Sequence, residues 1–75
     1  MEELLEILNE IDDSIDYENE KALIDDHLFD SFGVITLVSE IEEAFDIRVA
    51  SKEMVPANFN SAEAIWAMIQ RLQEN

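Results

Sequence analysis

Apolar residues recur along this chain at helical intervals. Leu4, Leu8, Ile11 and Ile15 form one stripe, with Leu5 beside it and acidic residues between, which predicts a first helix from about residue 2 to 14. Residues 16 to 30 show no clean period and carry Asp16, Glu18, Asn19, Glu20, Asp25, Asp26 and Asp30. They read as a long loop anchored by Leu23, Ile24, Leu28 and Phe29, and so long a loop in a small domain is often functional. Val34, Leu37, Val38, Ile41 and Phe45 then fall at i, i+3, i+4, i+7 and i+11, the clearest stripe in the chain. It predicts a second helix over 31–45, about 22 Å long. Asp30 and Ser31 stand at its start, where capping residues belong. Asp46 ends it, and Ile47 to Val49 look extended and partly buried.

Ser51 is placed to cap a short helical turn through Lys52, Glu53 and Met54, stopped by Pro56. Asn60 then starts the last helix, with Glu63 three residues on as a variant of the capping box. Ala62, Ile65, Ile69 and Leu72 give its inner stripe, Trp66 and Met68 flank it, and Arg71 near its end suits the helix dipole. Glycine and proline occur once each, as Gly33 and Pro56, too few turn residues for a small β protein. At 75 residues and 48% hydrophobic, the chain is expected to form one domain, 1–75, with one core. The expected fold is all-α: a small bundle of three main helices and one short one, with a long first loop.

Charge narrows the partners. Nineteen acidic residues against four basic ones give a net charge of −15. Nucleic acid and anionic membrane are poor partners for such a surface, and basic protein surfaces are its complement. Simple solvation by the acids explains the charge equally well. Self-repulsion should make the fold salt-sensitive, so added salt or magnesium is expected to raise the melting temperature. A melting temperature flat from low to high ionic strength would contradict this. Met1-Glu2-Glu3 lacks the basic start and apolar run of a signal peptide, and no apolar stretch reaches membrane-spanning length, so a cytoplasmic monomer without membrane insertion is expected. There is no cysteine, and His27 is the sole histidine, which removes thiolate and His-pair metal sites and makes a serine–histidine triad poor.

With the second helix's stripe turned inward, Ser31, Ile35, Ser39 and Glu42 fall on one outward line. A hydroxyl then sits at the exposed tip of a helix with an apolar residue one turn away, the pattern of a modification point beside a docking surface. A phosphodiester on Ser31 would be stabilised by the free N–H groups and partial positive charge of the helix N-terminus. Two plainer readings stay open: Asp30-Ser31 as a cap only, and Ile35 as the edge of the core.

Leu28-Phe29-Asp30-Ser31-Phe32-Gly33, followed by Leu37, Ile41-Glu42 and Phe45-Asp46-Ile47, resembles the phosphopantetheine-attachment segment of the acyl carrier protein family. The helix order and long first loop extend the resemblance over nearly the whole chain. It implies an acyl-carrier-like bundle and a non-enzymatic phosphoprotein. Ser31 would bear 4′-phosphopantetheine, placed there by a phosphopantetheinyl transferase, and the thiol of the arm would hold an acyl or aminoacyl group as a thioester. Asp30 would lie beside magnesium and coenzyme A during attachment. Phe32 would replace the usual leucine, half in the core. Phe32, Ile35, Ser39, Glu42 and Glu43 would form the face met by an adenylating ligase or acyltransferase with a basic docking surface. Carriers of fatty acid synthesis usually have acids soon after the serine, whereas Gly33 and Thr36 here are neutral. The Asp-Ser-Phe-Gly and Phe-Asp-Ile runs look closer to the D-alanyl carrier subtype, which serves teichoic acid D-alanylation, and a carrier for another acyl or aminoacyl cargo remains open. Phe32, Phe45 and Trp66 would fill the space in which a long acyl chain could lie, which favours a small cargo.

Three other readings compete. A calcium loop starting at Asp12 needs glycine sixth and glutamate twelfth, but those positions hold Tyr17 and Leu23; starting at Asp16 gives Lys21 and His27. A hydrolase would have only His27 as base for Ser31, and His27 suits a cap or the loop surface better. An unmodified acidic helical interaction module, docking through Glu40, Glu42 and Glu43, shares every helix with the carrier and differs only at Ser31.

Overall fold

The apolar stripe from Val34 to Phe45 forms a helix, α2 (Ser31–Phe45), over the expected residues. Leu37 and Ile41 are fully buried on its inner side, and Val34, Val38 and Phe45 pack partly buried against them. Asp30 is the N-cap: its Oδ1 accepts from the Gly33 N–H at 2.7 Å, so Ser31 is the first helical residue rather than the cap. Asp46 closes the helix in the left-handed region, φ 54°, with its N–H donated to the Glu42 carbonyl.

The computed structural model describes residues 1–74, so Asn75 of the expected 1–75 domain lies outside the described residues. Its other helices are α1 (Glu2–Ile11), α3 (Pro56–Phe59) and α4 (Ala62–Gln73), and a single 3-10 turn spans Ser51–Glu53. The fold is an all-α bundle of three main helices and one short one, with a long first connection and no strand among the described residues. The shared core joins Leu4, Ile7 and Leu8 of α1, Leu37 and Ile41 of α2, and Ile65, Met68 and Ile69 of α4, with Phe59 from α3. None of these helices is long and apolar enough to cross a membrane.

Four boundaries differ from the sequence expectation. α1 stops at Ile11, short of residue 14, because Asp12 turns extended (φ −155°) and its Oδ1 accepts from both the N–H and the hydroxyl of Ser14. Such local side-chain bonds compete with helix continuation. The short turn expected before Pro56 is present as the 3-10 turn Ser51–Glu53, and a further short helix, α3, follows it. Proline fits the first helical position, where no N–H is needed, so it opens α3 where a stop was expected. Ser51 lies inside the 3-10 turn and makes no side-chain cap. The last helix is capped by Ser61, whose Oγ accepts from the Ala64 N–H at 3.0 Å, and not by Asn60. With Ser61 as cap, Glu63 sits too early for a capping box and instead meets Lys21 at 3.0 Å on the surface, a pair of little weight.

The connection from 12 to 30 is held at three places. Tyr17 is buried; its hydroxyl donates to the Asp12 carbonyl at 2.6 Å and lies 3.0 Å from that of Leu8. Its ring meets Phe29 edge-on at 6.2 Å. The fully buried Leu23 accepts at its carbonyl from the Leu28 and Phe29 N–H groups. Asn60 ties the loop to the far end of the chain: its Oδ1 accepts from the Ile24 N–H at 3.0 Å and the Asp25 N–H at 3.1 Å, and its carbonyl accepts from Leu23 at 2.9 Å. Leu28, expected as an anchor, is 42% exposed.

Burial, reinforced by the Asp12 and Asp13 carboxylates, pushes the Tyr17 hydroxyl up to about 12. Tyr17 is the only tyrosine, so tyrosinate absorbance reports it alone. The folded chain should titrate near that value, and the unfolded chain near the ordinary value of about 10. The folded state holds the proton more tightly, so stability is intact below the unfolded value and falls as pH rises through the folded one. Tyr17→Phe removes the buried donor and should cost about 1–2 kcal/mol by urea unfolding.

Glu53 is the buried charged residue among the described residues. Arg71 clamps it with two bonds, at 2.8 and 3.0 Å, and Asn58 donates to its Oε1 at 3.2 Å. The hydrogen bond from Arg71 is the main reason its carboxyl lies below the usual range. This clamp joins the 3-10 turn to the end of α4, a more specific task for Arg71 than complementing the helix dipole.

Candidate functional site

Ser31 stands on the first turn of α2 and is exposed. Asp30 before it spends one carboxylate oxygen on the Gly33 N–H, which fixes where the helix begins. The amides of the first helical turn have no helical carbonyl to meet, so this end carries partial positive charge beside Ser31. Gly33 lets the turn close: a Cβ there would sit 3.3 Å from Asp30 Oδ1 and 3.4 Å from the Phe29 ring.

The expected outward line is present in part. Ile35 is 61% exposed and Ser39 is exposed, as is Glu43, which was expected on the partner face though not on this line. Glu42 departs from the line. It is half-buried, and its Oε2 accepts from the Val49 N–H at 2.9 Å, tying down the extended segment after α2. Its carboxylate serves the fold rather than the outward face. Phe32 also corrects the expectation: it is 76% exposed, not half in the core. The inner place beside the first turn belongs to Phe29, which is 6% exposed and lies against Gly33. Of the three aromatics expected to fill the core, Phe45 and Trp66 do meet, edge to face at 5.8 Å and partly buried, while Phe32 points to solvent.

Two grooves flank this end of α2. One, of about 570 Å³, runs between α2 and the segment leading into α3, and Ser31, Val34, Ile35, Met54, Val55 and Pro56 line it. Its walls are mostly apolar, and Met54 and Val55 are both at least 40% exposed. The other, of about 580 Å³, lies on the α1 side, with Phe32 and Leu28 at its edge. His27, in the left-handed region at φ 58°, is exposed at the loop tip between the two. Sequence reasoning missed Met54 and Val55. The signal for Val55 was available, because the residue before a proline is held extended, as Val55 is, with its side chain outside the helix.

No protein-family model matches the chain. Ser31 therefore rests on its own geometry: an exposed hydroxyl at a helix N-terminus, opening onto an apolar groove and bordered by two large exposed apolar residues.

Proposed function

We propose that this chain is an acyl or aminoacyl carrier protein, modified on Ser31 with 4′-phosphopantetheine by a separate phosphopantetheinyl transferase. The observation that carries the reading is the exposed Ser31 hydroxyl at the N1 position of α2, beside the exposed apolar residues Phe32 and Ile35. The residues present suit the group. A phosphodiester on Ser31 would face the partial positive charge of the helix end, and the chain beyond it would find the groove walled by Val34, Ile35, Met54 and Val55. Asp30 holds the first turn of the helix, and so the direction in which Ser31 is presented. The arm supplies a thiol that carries the cargo as a thioester, chemistry for which the chain has no cysteine of its own.

The carrier itself is not an enzyme. It presents cargo to an adenylating ligase or acyltransferase, in the cytoplasm and as a monomer, through a face built on Ile35, Ser39 and Glu43. A small aminoacyl cargo, D-alanine first, is favoured over a fatty acyl chain by the Asp-Ser-Phe-Gly run and by the neutral Gly33 and Thr36 that follow the serine. Incubation with coenzyme A, magnesium and a broad-range transferase should add one phosphopantetheinyl group, read by mass spectrometry. No mass gain in the wild-type chain overturns the reading. Loading assays with D-alanine, other amino acids and fatty acids, each with its cognate ligase, identify the cargo.

A further inference from the structure

Met54, Val55 and Pro56 form one wall of the apolar groove beside Ser31, yet the segment that carries them packs little against the core. Of residues 50–57, Glu53 alone is buried, at 8% exposed; Met54 and Val55 are 40% and 42% exposed, and the rest are exposed too. A wall of apolar side chains is therefore docked through one carboxylate. Backbone bonds do not add to that docking. The N–H groups of Glu53, Met54, Val55 and Asn58 donate to the carbonyls of Ala50, Ser51, Glu53 and Val55, all within the same stretch of chain. Asn58 likewise turns its Nδ2 to the Glu53 carbonyl at 2.8 Å. Before the segment, the Val49 N–H is tied to Glu42; after it, Phe59 lies in the core and Asn60 holds the first loop. Between those anchors, among the described residues, the polar contacts with another element are the two from Arg71 to Glu53, at 2.8 and 3.0 Å.

A buried carboxylate is costly unless it keeps its partner. With Arg71 in place, Glu53 stays against the end of α4. Without it, the carboxylate gains by returning to water, and the chain on either side follows because little else holds it. Arg71 itself stands on α4 and lines neither groove. We propose that Arg71 is a positioning residue for the groove beside Ser31: through Glu53 it holds the Met54–Val55 wall against the bundle, and its release lets residues 50–57 swing out and open the groove. The consequence for an attached arm rests on the carrier reading; the hinge does not.

Amide exchange of the unmodified full chain, followed by NMR, tests the hinge. In Arg71→Met the Glu53, Met54, Val55 and Asn58 amides should exchange about tenfold faster, as loss of a charged hydrogen-bonded pair allows, while those of Leu37, Ile41 and Ile65 should change less than about twofold. Arg71→Lys keeps a cation and should fall between. Lys21→Met breaks the surface pair with Glu63 and should leave the four amides as they are. Arg71 is half-exposed and methionine keeps an apolar stem, so the melting temperature should move little. In the phosphopantetheinylated chain, the methyl shifts that the arm induces at Met54 and Val55 should shrink in Arg71→Met. Unchanged exchange at the four amides overturns the proposal, as does equal acceleration throughout α2 and α4 or an equal effect of Lys21→Met. A wild-type chain that takes no phosphopantetheine defeats the carrier reading, while the exchange rates still judge the hinge. A modified chain whose arm-induced shifts keep their wild-type size in Arg71→Met defeats the proposal and leaves the carrier reading standing.

Discussion

Ser31→Ala is expected to abolish phosphopantetheinylation completely while leaving the fold unchanged. The two halves of this expectation have different causes. Modification needs a nucleophilic hydroxyl at the tip of α2, and alanine has none. The fold does not need that hydroxyl, because Asp30 performs the capping and Ser31 is exposed at the first helical position. Alanine is the best helix former, so the helix should persist. Mass spectrometry reads the first half and thermal unfolding the second. Asp30→Ala gives the complementary pattern: loss of the bond to the Gly33 N–H should cost about 1 kcal/mol of stability while the hydroxyl remains. Undiminished mass gain in Ser31→Ala would move the attachment to another hydroxyl. An unmodified interaction module predicts no gain in either protein, so the same measurement separates the two readings.

Asn60→Ala is the structural counterpart, expected to cost about 2 kcal/mol in urea unfolding. One side-chain oxygen accepts two backbone N–H groups, of Ile24 and Asp25, and the Nδ2 donates to the Asp25 carboxylate at 3.2 Å. Ile24 is only partly accessible to water, so its N–H would lose its partner without full replacement by solvent. Asn60→Asp keeps the acceptor but sets a second carboxylate against that of Asp25, and should recover only part of the loss at neutral pH. Because the loop leads directly to Asp30 and Ser31, Asn60→Ala should also slow modification. Unfolding that matches wild type within about 0.5 kcal/mol would show that water replaces the clamp at little cost.

The sequence made some of these features legible and concealed others for physical reasons. The α2 stripe was legible because five apolar residues repeat at helical spacing. The end of α1 was not, because Ile15 prolongs the stripe past the point where Asp12 and Ser14 break the backbone pattern. The start of α4 offered two adjacent capping residues. Ser61 caps because the side chain of Asn60 is engaged by Ile24 and Asp25, residues no local window contains. Helix phase located Ser31, Ile35 and Ser39 correctly as exposed. It failed for Glu42, which lies at the edge of the stripe and turns its carboxylate to Val49. Phe32 was misplaced because two phenylalanines flank Asp30-Ser31 and only one fits beside Gly33.

The clamp from Asn60 to the loop also sets a schedule. During synthesis, Ser31 leaves the ribosome well before residue 60 does. Until then the loop before α2 lacks its tie from Asn60, and α2 lacks the buried side of α4 to pack on. The surroundings of Ser31 are therefore complete only once the last helix has been made. Under the proposed function, a transferase that reads this folded shape would pass over chains not yet translated through α4.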